Sequence, residues 1–420
     1  MTGRPQGCID PQLPGLDAAL DPAASGEILG LDPIGWRAGR RPHHVDYSPG
    51  QRATITWAVD NPSAAFGVIE VEGDGWRCRD WRDDEALPGL CQAVDPDAMA
   101  SRLDALDMGQ GCRVTPVRYR SGQRCVLRYD TTWDRRPATY FAKIVATGVR
   151  QLAETLETWH RAAQVSAQAE TKDEANTVLP DTPAPVAGFE DLGMVLQAAT
   201  PGRPVRSLLY SIDTAVDSAG TEYRDVLAKA GASLAAIHAY APRSAGVSTS
   251  LASLLESPRG ALGIAYRHDP QLAARLEHAL DRLAASSEPE AVQVPNHGSF
   301  RADHLLFEGS RRFVVDLDGT DVAAPERDAA NLVGYLRWKA LREPKFQPIT
   351  DAAAPALAAG YASSRPALDP TRLSLYEAAT LLRIAGGRFR NLALDEYPAV
   401  PRLIEAAEAA LERAEAAAAL

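Results

Sequence analysis

The run Arg312-Phe313-Val314-Val315-Asp316-Leu317-Asp318 is an apolar stretch that ends in two carboxylates. Residues i and i+2 of a strand share a face, so this spacing leads us to expect Asp316 and Asp318 side by side at a sheet edge. Such carboxylate oxygens are the donors Mg²⁺ takes together with phosphate oxygens. The plain alternative is that both aspartates cap a turn before Gly319. Just upstream lies His297-Gly298-Ser299-Phe300-Arg301-Ala302-Asp303-His304-Leu305-Leu306. A histidine-led loop ahead of an acid-tipped hairpin suits the holding of Mg²⁺ against the phosphates of ATP.

Nucleotide phosphates also need a cation and a close approach of backbone. Lys143 lies between Phe141-Ala142 and Ile144-Val145, where burying its ammonium costs heavily without an anionic partner. A phosphate-binding lysine of this kind is oriented by a helical glutamate, here Glu154 or Glu157; a lysine reaching solvent from an edge strand is the bland reading. Gly122, in Arg120-Ser121-Gly122-Gln123, would let backbone approach phosphate, although hairpin turns use glycine for conformation alone.

These residues require strands and helices to position them, and the chain has room for both. Its 420 residues, 45% hydrophobic and 24% charged, suffice for two or three packed lobes. A net charge of −11 argues against nucleic acid or an anionic membrane, since neutralising phosphates takes clustered Lys and Arg. With no signal-like N-terminus and no apolar span of about 20 residues, the expected location is the cytoplasm. Cys8, Cys78, Cys91, Cys112 and Cys125 show neither disulfide nor zinc spacing and read as free, mostly buried thiols. Arg37, Arg40 and Arg41 form a small basic patch read as solvated surface.

Residues 1–40, rich in Pro, Gly and Asp, read as an irregular lead-in. Order is expected from near His44, where Val45 to Trp57 alternates about Pro49-Gly50 as a hairpin. The pattern returns at Val117 to Tyr129: Val-x-Tyr-x-x-Gly-Gln-Arg recurs with five identities in eight positions, which suggests two related hairpin units. Between them Asp83 to Leu90 reads as a polar turn and Pro96 to Leu106 as a short helix. Ala138–Val145 and Met194–Ala198 read as strands and Gln151–Ala169 as a helix. From Val205 onward, Ala and Leu at helical spacing predict Leu227–Ala241, Leu272–Ala285, Asp328–Lys339, Leu373–Ala385 and Pro401–Ala418.

The loop from His297 to Leu306, the Val315-Asp316-Leu317-Asp318 segment, the Asp328-Ala-Ala-Asn-Leu helix and Ala235-Ala236-Ile237-His238-Ala239 together resemble the aminoglycoside phosphotransferase and choline kinase-like family, over roughly Thr115 to Leu420. In that family the loop reads His-Gly-Asp-x-His-x-x-Asn, with the Asp as base and the Asn as metal ligand. The resemblance puts Ser299 and His304 at those two places. A serine hydroxyl is uncharged at neutral pH, and imidazole is a poor oxygen-ligand substitute on Mg²⁺. Asp303 and Asp318 become candidate substitute bases, Asp303 alternatively being a solvated loop carboxylate. His304 reads as a core histidine or a contact to nucleotide phosphate, His297 as a brace of the loop, and Asp328 as a helix N-cap that also holds the loop.

The expected architecture is α+β, a bilobal protein-kinase-like fold with a small β-rich N-lobe and a large mostly helical C-lobe. Its parts are a lead-in (1–40), a β-hairpin subdomain (41–110), the N-lobe (111–198) and the C-lobe (199–420). The expected activity is transfer of the ATP γ-phosphate to a hydroxyl of a small molecule or peptide side chain. Lys143, Glu154, Gly122 and His304 would serve nucleotide, and Asp316 and Asp318 Mg²⁺. Ser299 and His304 raise an alternative, a pseudokinase scaffold that binds nucleotide or peptide and serves a protein partner. A helical interaction protein without nucleotide is a third reading.

Overall fold

The computed structural model describes residues 9–31, 41–59, 65–168, 178–213, 220–242 and 248–418. Cys8, Arg37 and Arg40 lie outside them. The chain divides into two compact units, Met1–Glu154 with Ala184–Ala199 and Phe389–Asp395, and Thr155–Pro183 with Thr200–Arg388 and Glu396–Leu420.

The first unit is β-rich. It begins with α1 (Leu16–Leu20) and α2 (Pro22–Ile28), then β1 (His44–Ser48), β2 (Arg52–Ala58), β3 (Phe66–Glu72) and β4 (Gly75–Asp80), which pair in that order as an antiparallel sheet. A second set follows: α3 (Leu90–Ala93), α4 (Pro96–Asp104), β5 (Gln110–Arg120), β6 (Arg124–Trp133) and β7 (Arg136–Val145). After α5 (Val149–Gln168), strands β8 (Pro185–Phe189) and β9 (Met194–Ala198) complete a sheet of order β5-β6-β7-β9-β8. Period-two burial makes these strands. Ala53, Ile55 and Trp57 of β2 and Cys125, Leu127 and Tyr129 of β6 are fully buried, and each larger side chain so buried contributes about 1.5–3 kcal/mol.

The two sets are built alike down to single hydrogen bonds. Buried Asp10 accepts from the Tyr47 hydroxyl at 2.7 Å and the Gly50 amide at 2.7 Å; Asp84 accepts from the Tyr119 hydroxyl at 2.6 Å and the Gly122 amide at 2.8 Å. The Trp57 indole donates to the Ala19 carbonyl at 3.1 Å, as the Tyr129 hydroxyl does to Ala93 at 2.8 Å. Asp21 and Asp95 each cap a helix that starts with proline, accepting two backbone N–H groups. We call residues 9–80 the first module and residues 83–145 the second. The lead-in reading is thereby corrected: order begins by Ile9, and residues 16–28 supply the first module's helices. Among the described residues, Gly15 and Pro22 stand at helix entries and Gly30 in the turn after α2, positions where these residues favour structure. Asp83 to Leu90 is likewise more than a polar turn, with Asp84 buried at its centre. Of the described cysteines only Cys125 is buried, Cys78 and Cys91 being exposed.

The second unit is mostly helical. Strand β10 (Arg203–Pro204) leads into α6 (Val205–Ser211) and α7 (Thr221–Tyr240), then the short α8 (Leu251–Leu254), α9 (Glu256–Gly260) and α10 (Leu262–His268), and α11 (Pro270–Ala285). Strands β11 (Val294–Asn296), β12 (Leu305–Glu308), β13 (Arg311–Val314) and β14 (Asp321–Ala323) interrupt the helices before α12 (Glu326–Arg342), α13 (Gln347–Ala362), α14 (Pro370–Arg390) and α15 (Val400–Ala418). The helical periodicity located α7, α11, α12, α14 and α15. It missed α13, whose alanine-rich stretch carries an internal Pro355.

Candidate active site

Strands β11 and β14 pair antiparallel with Asn296 opposite Asp321. The loop that leaves β11 and the turn that enters β14 must therefore run side by side. Gly298 shows how closely: its φ is +79°, and a Cβ there would lie 1.8 Å from the Gly319 carbonyl oxygen. Only glycine fits that position.

The start of α12 grips the loop. Asp328, fully buried, accepts the His297 N–H at 2.6 Å and the Gly298 N–H at 3.1 Å. Arg327 donates to the Gly298 carbonyl at 3.2 Å, and Asn331 to the Phe300 carbonyl at 2.9 Å. Burial opposes ionisation of Asp328, but nearby His238, His297 and Arg327 outweigh it and hold its pKa below the ordinary carboxylate value. The N-cap expectation is corrected, because Pro325 holds the cap position without a side-chain bond. Asp328 lies inside the first turn, which frees its carboxylate for the loop.

Three side chains of the loop form a directed chain. The Val315 carbonyl can only accept, so His297 Nε2, 2.9 Å away, carries the proton. His297 Nδ1 is then an acceptor, with the Ser299 N–H at 3.3 Å and Ser299 Oγ at 3.5 Å. Arg301 can only donate, so His304 Nε2, 2.7 Å from its guanidinium, is an acceptor. Burial first, then the charges of Arg301 and His297, bring the His304 pKa down to about 3. A neutral His304 thus carries its proton on Nδ1, 3.4 Å from Ser299 Oγ. Ser299 accepts from His304 and donates to His297.

Asp316 lies beside this chain, its Oδ2 3.4 Å from His304 Nε2. The strand argument for the acidic pair is corrected: β13 ends at Val314, Asp316 adopts left-handed backbone (φ 66°, ψ 54°), and Asp318 sits exposed in a 3-10 turn, Leu317–Gly319. The turn, not strand alternation, sets where these carboxylates point. A left-handed non-glycine residue stores roughly 1–3 kcal/mol of strain, which the adjoining pairs of β12 with β13 and β11 with β14 must hold. Asp303 is ion-paired with Arg206 at 2.6 Å. Among the described residues no group of three or more His, Cys, Asp or Glu could hold a metal by itself.

In the first unit, Lys143 is half-buried on β7, opposite Val126 on one side and Val195 on the other. Buried Ala142 and Ile144 flank it, so it projects from the face opposite the core. Glu154 is exposed on α5. Gly122 adopts φ +70° with open space about its Cα, but its N–H is committed to Asp84. Its turn can offer closeness to a ligand rather than that amide. Sequence reasoning passed over Asp84 and also Arg79, which donates to Ser121 Oγ at 2.7 Å, to the Tyr119 hydroxyl at 3.3 Å and to Glu70 at 2.9 Å. The missed signal was a second repeat: Asp10-x-x-Leu13-Pro14-Gly15-Leu16 returns as Asp84-x-x-Leu87-Pro88-Gly89-Leu90.

A β-rich unit followed by a helical one, with a braced His-Gly loop and an acidic turn, defines the protein-kinase-like class. A family model described as the phosphotransferase enzyme family matches residues 120–376, more than half of the chain, and the chain belongs to that family. Among solved structures it is similar to a spectinomycin phosphotransferase in complex with ADP and spectinomycin (14% identity, 78% of this chain and 99% of that one, TM-score 0.47). It is also similar to an amicoumacin kinase in complex with AMP-PNP and Ca²⁺ (14%, 76% and 95%, 0.48) and to a choline kinase from Streptococcus pneumoniae (11%, 74% and 98%, 0.44). No curated protein matches the chain. Among the described residues no helix is long and apolar enough to cross a membrane.

Proposed function

We propose that this chain transfers the γ-phosphoryl group of ATP to a hydroxyl of a small molecule or peptide side chain. The observation that carries the reading is buried Asp328 holding the His297-Gly298 amides, which fixes Ser299 and sets the loop against the turn of Asp316. Preorganisation of this kind is what phosphoryl transfer requires, since catalysis there is mainly positioning and charge stabilisation. Lys143, oriented by Glu154, binds the α- and β-phosphates, and the open turn at Gly122 lets them approach.

The donor set at the acidic turn fits Mg²⁺ in part. Asp316 and Asp318 supply hard carboxylate oxygens, and such a site needs only one or two of them beside phosphate. His304 does not fit, because its Nε2 already faces the Arg301 guanidinium. When bound, Mg²⁺ would neutralise charge developing on the phosphates.

Ser299 carries no charge, yet it is placed to relay a proton. The acceptor hydroxyl hydrogen-bonds to Ser299 Oγ; as its oxygen attacks the γ-phosphorus and the bond to the β,γ-bridging oxygen breaks to release ADP, its proton passes to Oγ while the Ser299 proton passes to His297 Nδ1. The Asp328 carboxylate, whose charge interacts with His297, stabilises the positive charge so formed. Asp303 is neutralised by Arg206 and takes no proton in this scheme, and Asp318 serves the cation. The long Ser299 contacts match catalytic hydrogen bonds that tighten only with substrate present. Purified protein with labelled ATP tests this. Slow ATP hydrolysis or autophosphorylation that Asp316→Ala abolishes, and that His297→Ala lowers by about 10²–10⁴-fold, supports it. Mg-ATP binding with no transfer to any acceptor would leave the scaffold reading instead.

A further inference from the structure

The two modules differ at the positions that would meet phosphate. On β2 and β6, Thr54 and Val126 stand at the same distance past Tyr47-Gly50 and Tyr119-Gly122. Thr54 pairs with Glu70 and Val126 with Lys143, so Glu70 takes in the first module the place Lys143 takes in the second. A carboxylate there repels phosphate. The turns differ too. A Cβ at Gly50 would lie 2.0 Å from Gln12 Oε1, whereas nothing lies within 4 Å of the corresponding point at Gly122. The counterpart of Gln12 is Ala86, too short to cover its turn.

Glu70 is not idle. It accepts from Arg77 at 2.6 Å and from Arg79 at 2.9 Å, and Arg79 continues to Ser121 Oγ and the Tyr119 hydroxyl in the second module, with Asp84 at 4.0 Å. Buried Phe66 and Trp81 pack edge to face, each about 5.6 Å from the Tyr119 ring, so the junction is apolar beneath this polar bridge. The acid that stands where the other copy has its lysine anchors the arginine that reaches that copy's glycine turn.

We infer that the first module, built like the second but with Glu70 in the place of Lys143, does not hold phosphate and instead positions the Tyr119-Gly122 turn, through Glu70 and Arg79, for nucleotide. This rests on the proposed role of Lys143 and Gly122. Arg79 is a positioning residue: it acts on nucleotide through Ser121 and Tyr119.

The test is direct Mg-ATP binding by calorimetry on the full chain, with no turnover required. Arg79→Ala should weaken binding about tenfold, the scale of losing a hydrogen bond to a charged group. Ser121→Ala should weaken it similarly, and the double variant no more than either single one, because both remove the same link. Arg79→Lys should recover only part, since one ammonium cannot fork to Glu70 and Ser121 together. Should Arg79→Ala fail to fold, Ser121→Ala and Glu70→Gln answer the same question. Binding unchanged in Ser121→Ala and Arg79→Ala, while Lys143→Ala abolishes it, overturns the inference and leaves the proposed function standing. Binding unchanged in Lys143→Ala overturns both.

Discussion

The first and second modules share one frame and differ in what the frame presents. In each, a buried aspartate clasps a tyrosine hydroxyl and a glycine amide, and an aromatic side chain on the second strand ties down a helical carbonyl. Upon that frame the second module carries Lys143 beside an open turn, and the first carries Glu70 beside a turn covered by Gln12. The lesson is that folding and chemistry are written in different residues. Losing the clasp would strand buried polar groups in either copy, whereas the positions of Glu70 and Lys143 lie outside the clasp and differ between the copies.

The largest expected difference between the copies lies in ligand response. Lys143→Ala should abolish the thermal shift that Mg-ATP produces, and Glu70→Ala should retain a reduced one; equal losses, followed by scanning fluorimetry, would erase the distinction between the copies. Stability should separate them less. Asp10→Ala and Asp84→Ala each remove the carboxylate that a buried tyrosine hydroxyl and a glycine amide share, at a cost of about 3 kcal/mol apiece by urea unfolding, but only Asp84→Ala should also weaken nucleotide binding, since its clasp holds Gly122.

The smallest effect concerns acid. Burial first, then the charges of Arg120, His43, Arg118 and Arg124, lower the His44 pKa from 6.5 to about 4. Its counterpart in the second module, Pro116, does not titrate. Between those two values the unfolded chain binds the proton and the folded chain does not, so stability is retained above pH 6.5 and declines as pH falls toward 4. His44→Gln should flatten the dependence of Tm on pH across that window, whereas an unchanged slope would show that His44 does not contribute to it.

Much of this was legible in the sequence where pattern is local. The hairpins about Gly50 and Gly122, strand Met194–Ala198, α5 and five long helices follow from periodicity and turn residues, and the His297 loop and the acidic segment Asp316–Asp318 follow from motif spacing, though not the backbone turn that carries the acids. What stayed hidden depends on contacts distant in sequence. Asp10 and Asp84 meet their tyrosines 37 and 35 residues on, and nothing near either aspartate reveals that it is buried. Asp316 was placed on a strand because apolar residues run up to it; the backbone instead turns left-handed there, a tertiary outcome that strand alternation cannot report. Gly122 is expected to let backbone approach phosphate, and the structure adds that its own amide is taken by Asp84.

Amide hydrogen exchange with and without Mg-ATP tests the central claim most directly, because one experiment observes both copies and the acidic turn. The account predicts slower exchange in residues 119–124 and 315–319 on adding Mg-ATP, with residues 47–52 unchanged. Protection confined to residues 47–52, or none in residues 119–124, would contradict it.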